Sequence, residues 1–332
     1  MNTSPLPSQT KELKGLRKIA PALVLFFLSP FVAEFLLGNI SISAFAAMVI
    51  LAPLYGGGAV VVREVARRFH RGWPTIILLA LAYGLIEEGI CIQTLFNPHY
   101  LGFSLLSEAY VPSLGIGGWW TPFVLTLHTV WSISVPIAIT EGLFAERRET
   151  PWLGKISLSI FSVLFVLGVL MIHGGTHKQD PFHASFAQLI SVVAVILVVT
   201  AIAFTFKKRD SSRPGNVGNP FVVGLVTFLL GLGFMSAHAV IHGWAIVAVY
   251  GALYLVAIAL LAFWSRRVTW TPLHTLAAGG GAMLTYACTG FPQVPVIGAK
   301  GTVDLVGNSL FAAVAVVLLW RAIKNQRQAR AG

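Results

Sequence analysis

Two adjacent glutamates, Glu87 and Glu88, lie within a run of apolar residues that begins near Trp73. The run is long enough to cross a bilayer, and a carboxylate at that depth costs about 2.5–3.5 kcal/mol on insertion scales. Because two neighbouring carboxylates cannot both face lipid, we expect at least one to point into the protein. Such a pair suits general acid–base catalysis and proton transport equally. Glu87 and Glu88 are therefore candidate catalytic residues.

Histidines supply the second kind of chemistry. His128 lies in another apolar run, and no Lys or Arg is expected at the same depth as the glutamate pair. His128, or a proton shared between the two glutamates, is therefore the expected partner of the pair. The alternative for His128 is a structural role, in which it forms a hydrogen bond to a neighbouring helix. His173 and His177 are spaced i,i+4, which puts two imidazoles on one helix face, a common arrangement of zinc ligands. We take His128 as a third catalytic candidate. His128, His173 and His177 are candidate ligands of one divalent metal such as zinc.

Other polar residues carry weaker predictions. His238 and His242 repeat the i,i+4 spacing, as a second and weaker candidate metal pair. Glu64 lies beside a cluster of arginines, which predicts an ion pair at the surface. Glu141 precedes Arg147 and Arg148, and we expect it to pair with them at the membrane interface.

The composition is that of an integral membrane protein. Of 332 residues, 56% are hydrophobic and 11% are charged, whereas a soluble domain has about 25% charged residues. The two cysteines, Cys91 and Cys288, both lie in apolar runs, which favours neither a disulfide framework nor a cysteine metal site. The sequence predicts an all-α, polytopic helical bundle.

Hydropathy predicts about ten membrane-spanning helices. They cover approximately residues 19–38, 43–62, 74–95, 119–143, 156–173, 185–206, 221–237, 243–264, 272–289 and 304–320. The transmembrane domain is then 19–320, with the polar residues concentrated in 34–183. A basic tail flanks it on each side, at 1–18 and at 321–332.

The charges predict the orientation of the chain. All but two of the 23 Lys and Arg residues, Lys178 and Lys300, fall on one side of the ten predicted spans. By the positive-inside rule, that side is cytoplasmic and holds both termini of a multi-pass protein of the cell membrane. The net charge of +11 is thus a topology signal, with membrane lipids as partners and no nucleic acid.

The order of the polar residues resembles that of the CAAX protease and bacteriocin-processing superfamily of intramembrane proteases. Its members carry a glutamate pair, a lone histidine and a later histidine with a partner four residues on. The match covers about 80–180 and assigns these roles to Glu87, Glu88, His128, His173 and, at the variable position, His177. It departs at two positions, where the family has Arg and Phe and this chain has Ile92 and Val124.

The resemblance implies hydrolysis of a membrane-embedded peptide substrate. Glu87 or Glu88 would activate water, and His128 and His173 would bind a metal or stabilise the oxyanion. Two other functions fit the residues themselves. One is a proton-coupled secondary transporter, in keeping with ten spans interrupted by Gly and Pro. The other is a non-catalytic membrane assembly protein, in which the acids hold helices together and their replacement lowers stability rather than activity.

Overall fold

A computed structural model describes residues 15–207 and 213–331. Those residues are mostly helical, and a short hairpin pairs Tyr110–Val111 antiparallel with Ile116–Gly117. The α-helices are α1 (Leu16–Pro30), α2 (Ala47–Arg68), α3 (Trp73–Leu85), α4 (Trp120–Thr126), α5 (Val135–Leu143), α6 (Lys155–Gln179), α7 (Phe186–Thr205), α8 (Pro220–Ser236), α9 (Gly243–Ser265), α10 (Pro272–Thr289) and α11 (Thr302–Ala331).

The predicted all-α membrane bundle is confirmed. Among the described residues, nine helical stretches are long and apolar enough to cross a membrane. The tenth predicted span is α10, whose 18 residues extend about 27 Å at 1.5 Å per residue. Most of the predicted basic N-terminal tail lies outside the described residues. The C-terminal basic segment continues α11 as a helix, and the orientation of the termini stays a prediction.

Three spans contain a π-helical segment, in which the chain adds a residue to the α-helical turn. These segments are Phe31–Leu36 after α1, Ile86–Cys91 after α3, and Leu127–Ser134 between α4 and α5. We name them π1, π2 and π3 in chain order. Segments of this kind are rare and frequently occur at functional sites.

The first four spans form the inside of the bundle. Between 61% and 67% of the most apolar window of each is buried by protein, against 11% to 28% for the windows of α6, α7, α8, α9 and α11. The glycine-rich helix α10 is also largely buried. The five outer helices turn apolar side chains outward, as helices that face lipid do. The π-helical segments therefore all lie on inner spans.

Glycine makes the close packing of the inner spans possible. A Cβ at Gly56 would stand 1.9 Å from the carbonyl oxygen of Phe26 on α1. A Cβ at Gly58 would stand 2.3 Å from the ring of Tyr83 on α3. The run Gly56–Gly58 thus lets α2 approach α1 and leaves room for Tyr83.

Candidate functional site

Glu87, Glu88 and His128 meet inside the bundle. Their exposed fractions are 1%, 2% and 7%, so both glutamates point into the protein, as expected for at least one. The Nε2 atom of His128 lies 2.6 Å from Oε1 of Glu88, and its Nδ1 atom lies 2.9 Å from Oε2 of Glu87. The expected partnership of His128 with the pair is therefore present. We call these three residues the trio.

The contacts of His128 give the trio a place for one additional proton. Each nitrogen-to-oxygen contact needs one hydrogen between its two atoms, and a neutral imidazole carries only one. His128 approaches both carboxylates, but its Nδ1 atom also lies 3.2 Å from the hydroxyl of Ser132, and Oε2 of Glu87 has no hydrogen bond of acceptable geometry. The contact with Glu88 accounts for the one hydrogen of a neutral ring, and a second proton, on the ring or on Glu87, would complete the contact with Glu87. Charge-assisted bonds from nitrogen to carboxylate are about 2.7–2.9 Å long. The distances of 2.6 and 2.9 Å match such bonds, so the trio can accommodate an imidazolium ring between two carboxylates.

A second acidic group lies next to the trio. Glu34 accepts hydrogen bonds from the hydroxyl of Tyr55 and from the amide of Asn39, each 2.5 Å long. The ring of Tyr55 stacks on the ring of His128, with centroids 6.1 Å apart. Tyr55 thus connects Glu34 with the trio. Tyr55 could not be singled out from the sequence, because a tyrosine within an apolar helix is usually a packing residue.

Glu88 is also fixed from the connection that follows its span. Its Oε2 atom accepts a hydrogen bond from the hydroxyl of Thr94. That hydroxyl accepts in turn from the indole Nε1 of Trp120, 3.1 Å away, at the start of α4. Both oxygens of Glu88 therefore have partners, one in the trio and one outside it.

The three glutamates and the histidine of this region all lie on π-helical segments. Glu34 is on π1, the glutamate pair is on π2, and His128 is on π3. Three unusual backbone segments thus supply the ionisable side chains of one buried cluster. Because π-helical segments concentrate at functional sites, this convergence marks the cluster as the candidate site.

The structure does not bring His173 and His177 to the trio's ligand atoms. The Nδ1 atom of His173 lies 2.7 Å from the carbonyl oxygen of Cys91, and the ring of His177 lies 4.1 Å from that of His183. These histidines border a small pocket together with Cys91, Gln93 and Asp180. The trio itself forms a candidate metal group, because its ligand atoms all lie within 4.8 Å of one another.

Glu64 and Glu141 belong to a buried network instead of the expected surface pairs. Arg63 donates from Nη1 to Glu64 over 2.7 Å and from Nε to Glu141 over 3.1 Å. Arg67 donates from Nη2 to the other oxygen of Glu141 over 2.6 Å. Arg63 and Glu64 are fully buried. The prediction of a surface pair was wrong because the loop that follows α5 covers the end of α2. The partners of Glu141 are Arg63 and Arg67 on α2, rather than Arg147 and Arg148.

The network also binds that loop. Glu64 accepts from the backbone N–H groups of Trp152 and Leu153, at 2.8 and 3.1 Å. Arg63 donates to the carbonyl oxygens of Arg148 and Thr150, both at 2.8 Å. We call the four residues Arg63, Glu64, Arg67 and Glu141 the arginine network.

A second candidate metal group lies outside the inner spans. It comprises Glu108, His238 and His242. Burial raises the pKa of the Glu108 carboxyl, but a hydrogen bond from the Gly243 N–H and the two neighbouring histidines outweigh burial. The pKa therefore lies below its ordinary value.

Comparison with known proteins identifies a family. A sequence model of an uncharacterized membrane protein family matches residues 23–329, which is nearly the whole chain. No curated protein and no solved structure matches the chain. The match overturns the suggested kinship with the CAAX protease and bacteriocin-processing superfamily, whose pattern this chain breaks at Ile92 and Val124. The chain is a multi-pass membrane protein and belongs to that uncharacterized membrane protein family.

Proposed function

We propose that this protein is a proton-coupled secondary transporter, and that the trio of Glu87, Glu88 and His128 binds and releases the coupling proton. The observation that carries the proposal is the pair of ring-to-carboxylate contacts of His128, at 2.6 and 2.9 Å. A neutral ring supplies a hydrogen for only one of the two contacts, and Oε2 of Glu87 has no other hydrogen bond of acceptable geometry, so the trio offers a place for one additional proton. Ionisable groups within a membrane bundle that hold a mobile proton are typical of proton relays in transporters.

Loss of the proton would couple to movement of the helices. His128 is on π3, whereas both glutamates are on π2. When one proton leaves, one of the two contacts across these segments loses its hydrogen, and the two carboxylates repel each other more strongly. The proton number of the trio therefore biases the packing of two inner spans.

The substrate exchanged for the proton is expected to be a cation. No Lys or Arg side chain is among the described contacts of the trio or of Glu34. Release of the proton would leave three carboxylates around one imidazole at membrane depth. A cation that enters would compensate this charge, and an anion would meet repulsion.

Proton flux in reconstituted vesicles tests the proposal. Purified protein in proteoliposomes with a trapped pH dye is exposed in turn to gradients of Na⁺, K⁺, Mg²⁺ and Mn²⁺. We expect at least one cation to change the internal pH in the wild type, and Glu88→Gln to abolish the change. Glu146→Gln, at an exposed glutamate, is the matched control and should keep the flux. A Glu88→Gln protein that loses stability but shows wild-type proton flux would indicate an assembly role and contradict the proposal.

A metal-dependent hydrolase is the second candidate function. The observation in its favour is the mutual distance of the trio's ligand atoms, all within 4.8 Å. Two carboxylates and an imidazole suit a divalent transition metal. Metal content would separate the two functions, measured on wild type, Glu88→Gln, His128→Ala and His173→Ala. About one ion per chain, lost in Glu88→Gln and in His128→Ala, would favour the hydrolase. A bound metal would occupy the nitrogen and oxygen atoms that the proton needs.

A further inference from the structure

Three side chains from separate parts of the chain meet beside Trp119. Glu108 lies in the long connection between π2 and α4, His238 lies in the turn after α8, and His242 directly precedes α9. Oε1 of Glu108 is 3.1 Å from Nε2 of His238 and 3.0 Å from Nδ1 of His242. The i,i+4 spacing of the histidines suggests a helix face, but the helix is interrupted there. The chain turn and Glu108 bring the ligands together instead.

The distances are close to those of a tetrahedral metal site. Zinc binds imidazole nitrogen and carboxylate oxygen at about 2.0–2.1 Å, so two of its tetrahedral ligand atoms lie about 3.3 Å apart. The contacts of Glu108 with the two histidines, at 3.0 and 3.1 Å, need to open by only a few tenths of an ångström. An ion could therefore enter with small rotations of side chains.

The orientation of His238 points to coordination rather than to hydrogen bonding. Its Nε2 atom is buried and has no hydrogen bond of acceptable geometry, although Oε1 of Glu108 is 3.1 Å away. A buried ring nitrogen without a hydrogen-bond partner is costly. A metal ion shared with the carboxylate would remove that cost.

Neighbouring groups hold the three ligands in position. The ring of Trp119 stacks on that of His238, with centroids 3.7 Å apart. The N–H of Gly243 donates to Oε2 of Glu108 over 3.0 Å, which leaves Oε1 directed at the histidines. Support of this kind around the ligands is typical of metal sites.

We propose that Glu108, His238 and His242 bind one divalent transition metal ion of the zinc class. Two imidazoles and one carboxylate are a ligand set that zinc uses, with a fourth position left for water. The ion joins the connection between π2 and α4 to the turn between α8 and α9. It is distinct from the trio, which lies on other helices.

Cobalt titration tests the site, because Co²⁺ reports its own coordination by visible absorption. Detergent-purified wild type is compared with Glu108→Gln, His238→Ala and His242→Ala, and with His99→Ala as the control at an exposed loop histidine. We expect each of the three variants to bind Co²⁺ at this site at least about tenfold more weakly than wild type. His99→Ala should match wild type, and Zn²⁺ should displace the bound Co²⁺ in both.

The readout does not depend on transport, so it can fail or succeed independently of the proposed function. The side chain of His242 is 61% exposed, and its replacement therefore leaves the packing intact even if Glu108→Gln disturbs the loop. Equal Co²⁺ affinity and stoichiometry in His242→Ala, His238→Ala and wild type would overturn the proposal.

Discussion

The arginine network and the trio both bury two glutamates, but they neutralise them in different ways. In the network, Arg63 and Arg67 supply permanent positive charges to Glu64 and Glu141. In the trio, the two glutamates share one histidine, whose charge depends on a proton. A guanidinium keeps its proton at any physiological pH, whereas an imidazole exchanges it.

The difference separates a structural role from a functional one. The network has two positive and two negative side chains, and it binds the backbone of the loop that follows α5. Nothing in it needs to change during function. The trio carries a net charge of −1 with the additional proton and −2 without it, and π-helical backbone carries all of its members. We therefore expect substitutions in the network to affect stability first, and substitutions in the trio to affect proton handling first.

The largest effect is expected from Arg63→Ala in the network. Removing one partner of a buried ion pair costs about 3–5 kcal/mol, because the other charge stays buried without compensation. The substitution also takes donors away from the carbonyl oxygens of Arg148 and Thr150. Thermal unfolding in detergent should show a strongly lowered transition or no folded protein. Lys155→Ala, at an exposed position at the start of α6, should unfold like wild type. An Arg63→Ala protein as stable as that control would contradict a structural role of the network.

The same isosteric change in both regions sharpens the comparison. Glu64→Gln places an amide NH₂ against groups that all donate, namely Arg63 and the N–H groups of Trp152 and Leu153. We expect a loss of about 2–3 kcal/mol in the free energy of unfolding.

Glu88→Gln should cost about 1 kcal/mol or less, because its amide oxygen still accepts from His128 and its NH₂ can donate to the Thr94 hydroxyl. It should nevertheless abolish proton flux. Denaturation and proteoliposome flux on the two proteins check this pair of predictions. A Glu88→Gln protein that is less stable than Glu64→Gln would contradict the distinction between a structural network and a functional trio.

A smaller effect is expected from Tyr55→Phe. The substitution removes the hydroxyl that donates to Glu34 over 2.5 Å and keeps the ring that stacks on His128. We expect a loss of about 1 kcal/mol in stability and a slower, but still present, proton flux, since Glu34 is outside the trio. Stopped-flow dye measurements in proteoliposomes would record the rate. Complete loss of flux would place Tyr55 within the proton site itself.

Much of the fold could be predicted from the sequence. Apolar runs and their spacing predicted the ten spans and the all-α class, because a helix that crosses a membrane needs a long apolar stretch. The glutamate pair and His128 could also be predicted as neighbours. Two buried carboxylates need a partner that compensates their charge, and few other groups at that depth could do so. The cost of burial therefore identified His128 as the partner.

Contacts that depend on packing between distant segments could not be predicted. Arg63 and Glu141 are separated by 78 residues, and a cluster of charges at the end of a helix usually lies in solvent. Glu108 is 134 residues from His242, in a connection without periodic pattern. The apolar pattern does not distinguish the π-helical segments from the α-helices that they continue. The i,i+4 spacing of His173 and His177 suggested metal ligands, but their position relative to the trio depends on how α6 packs.

Nitrogen NMR of the histidine rings tests the central claim most directly. Protein with ¹⁵N-labelled histidine is measured at neutral pH in wild type, and His128→Gln assigns the signal of His128 among the nine histidines. The account predicts that both ring nitrogens of His128 carry a hydrogen, as in an imidazolium ring, and that Glu88→Gln returns one of them to the unprotonated form. A wild-type signal of a neutral ring, with one unprotonated nitrogen, would contradict the additional proton and with it the proposed coupling site.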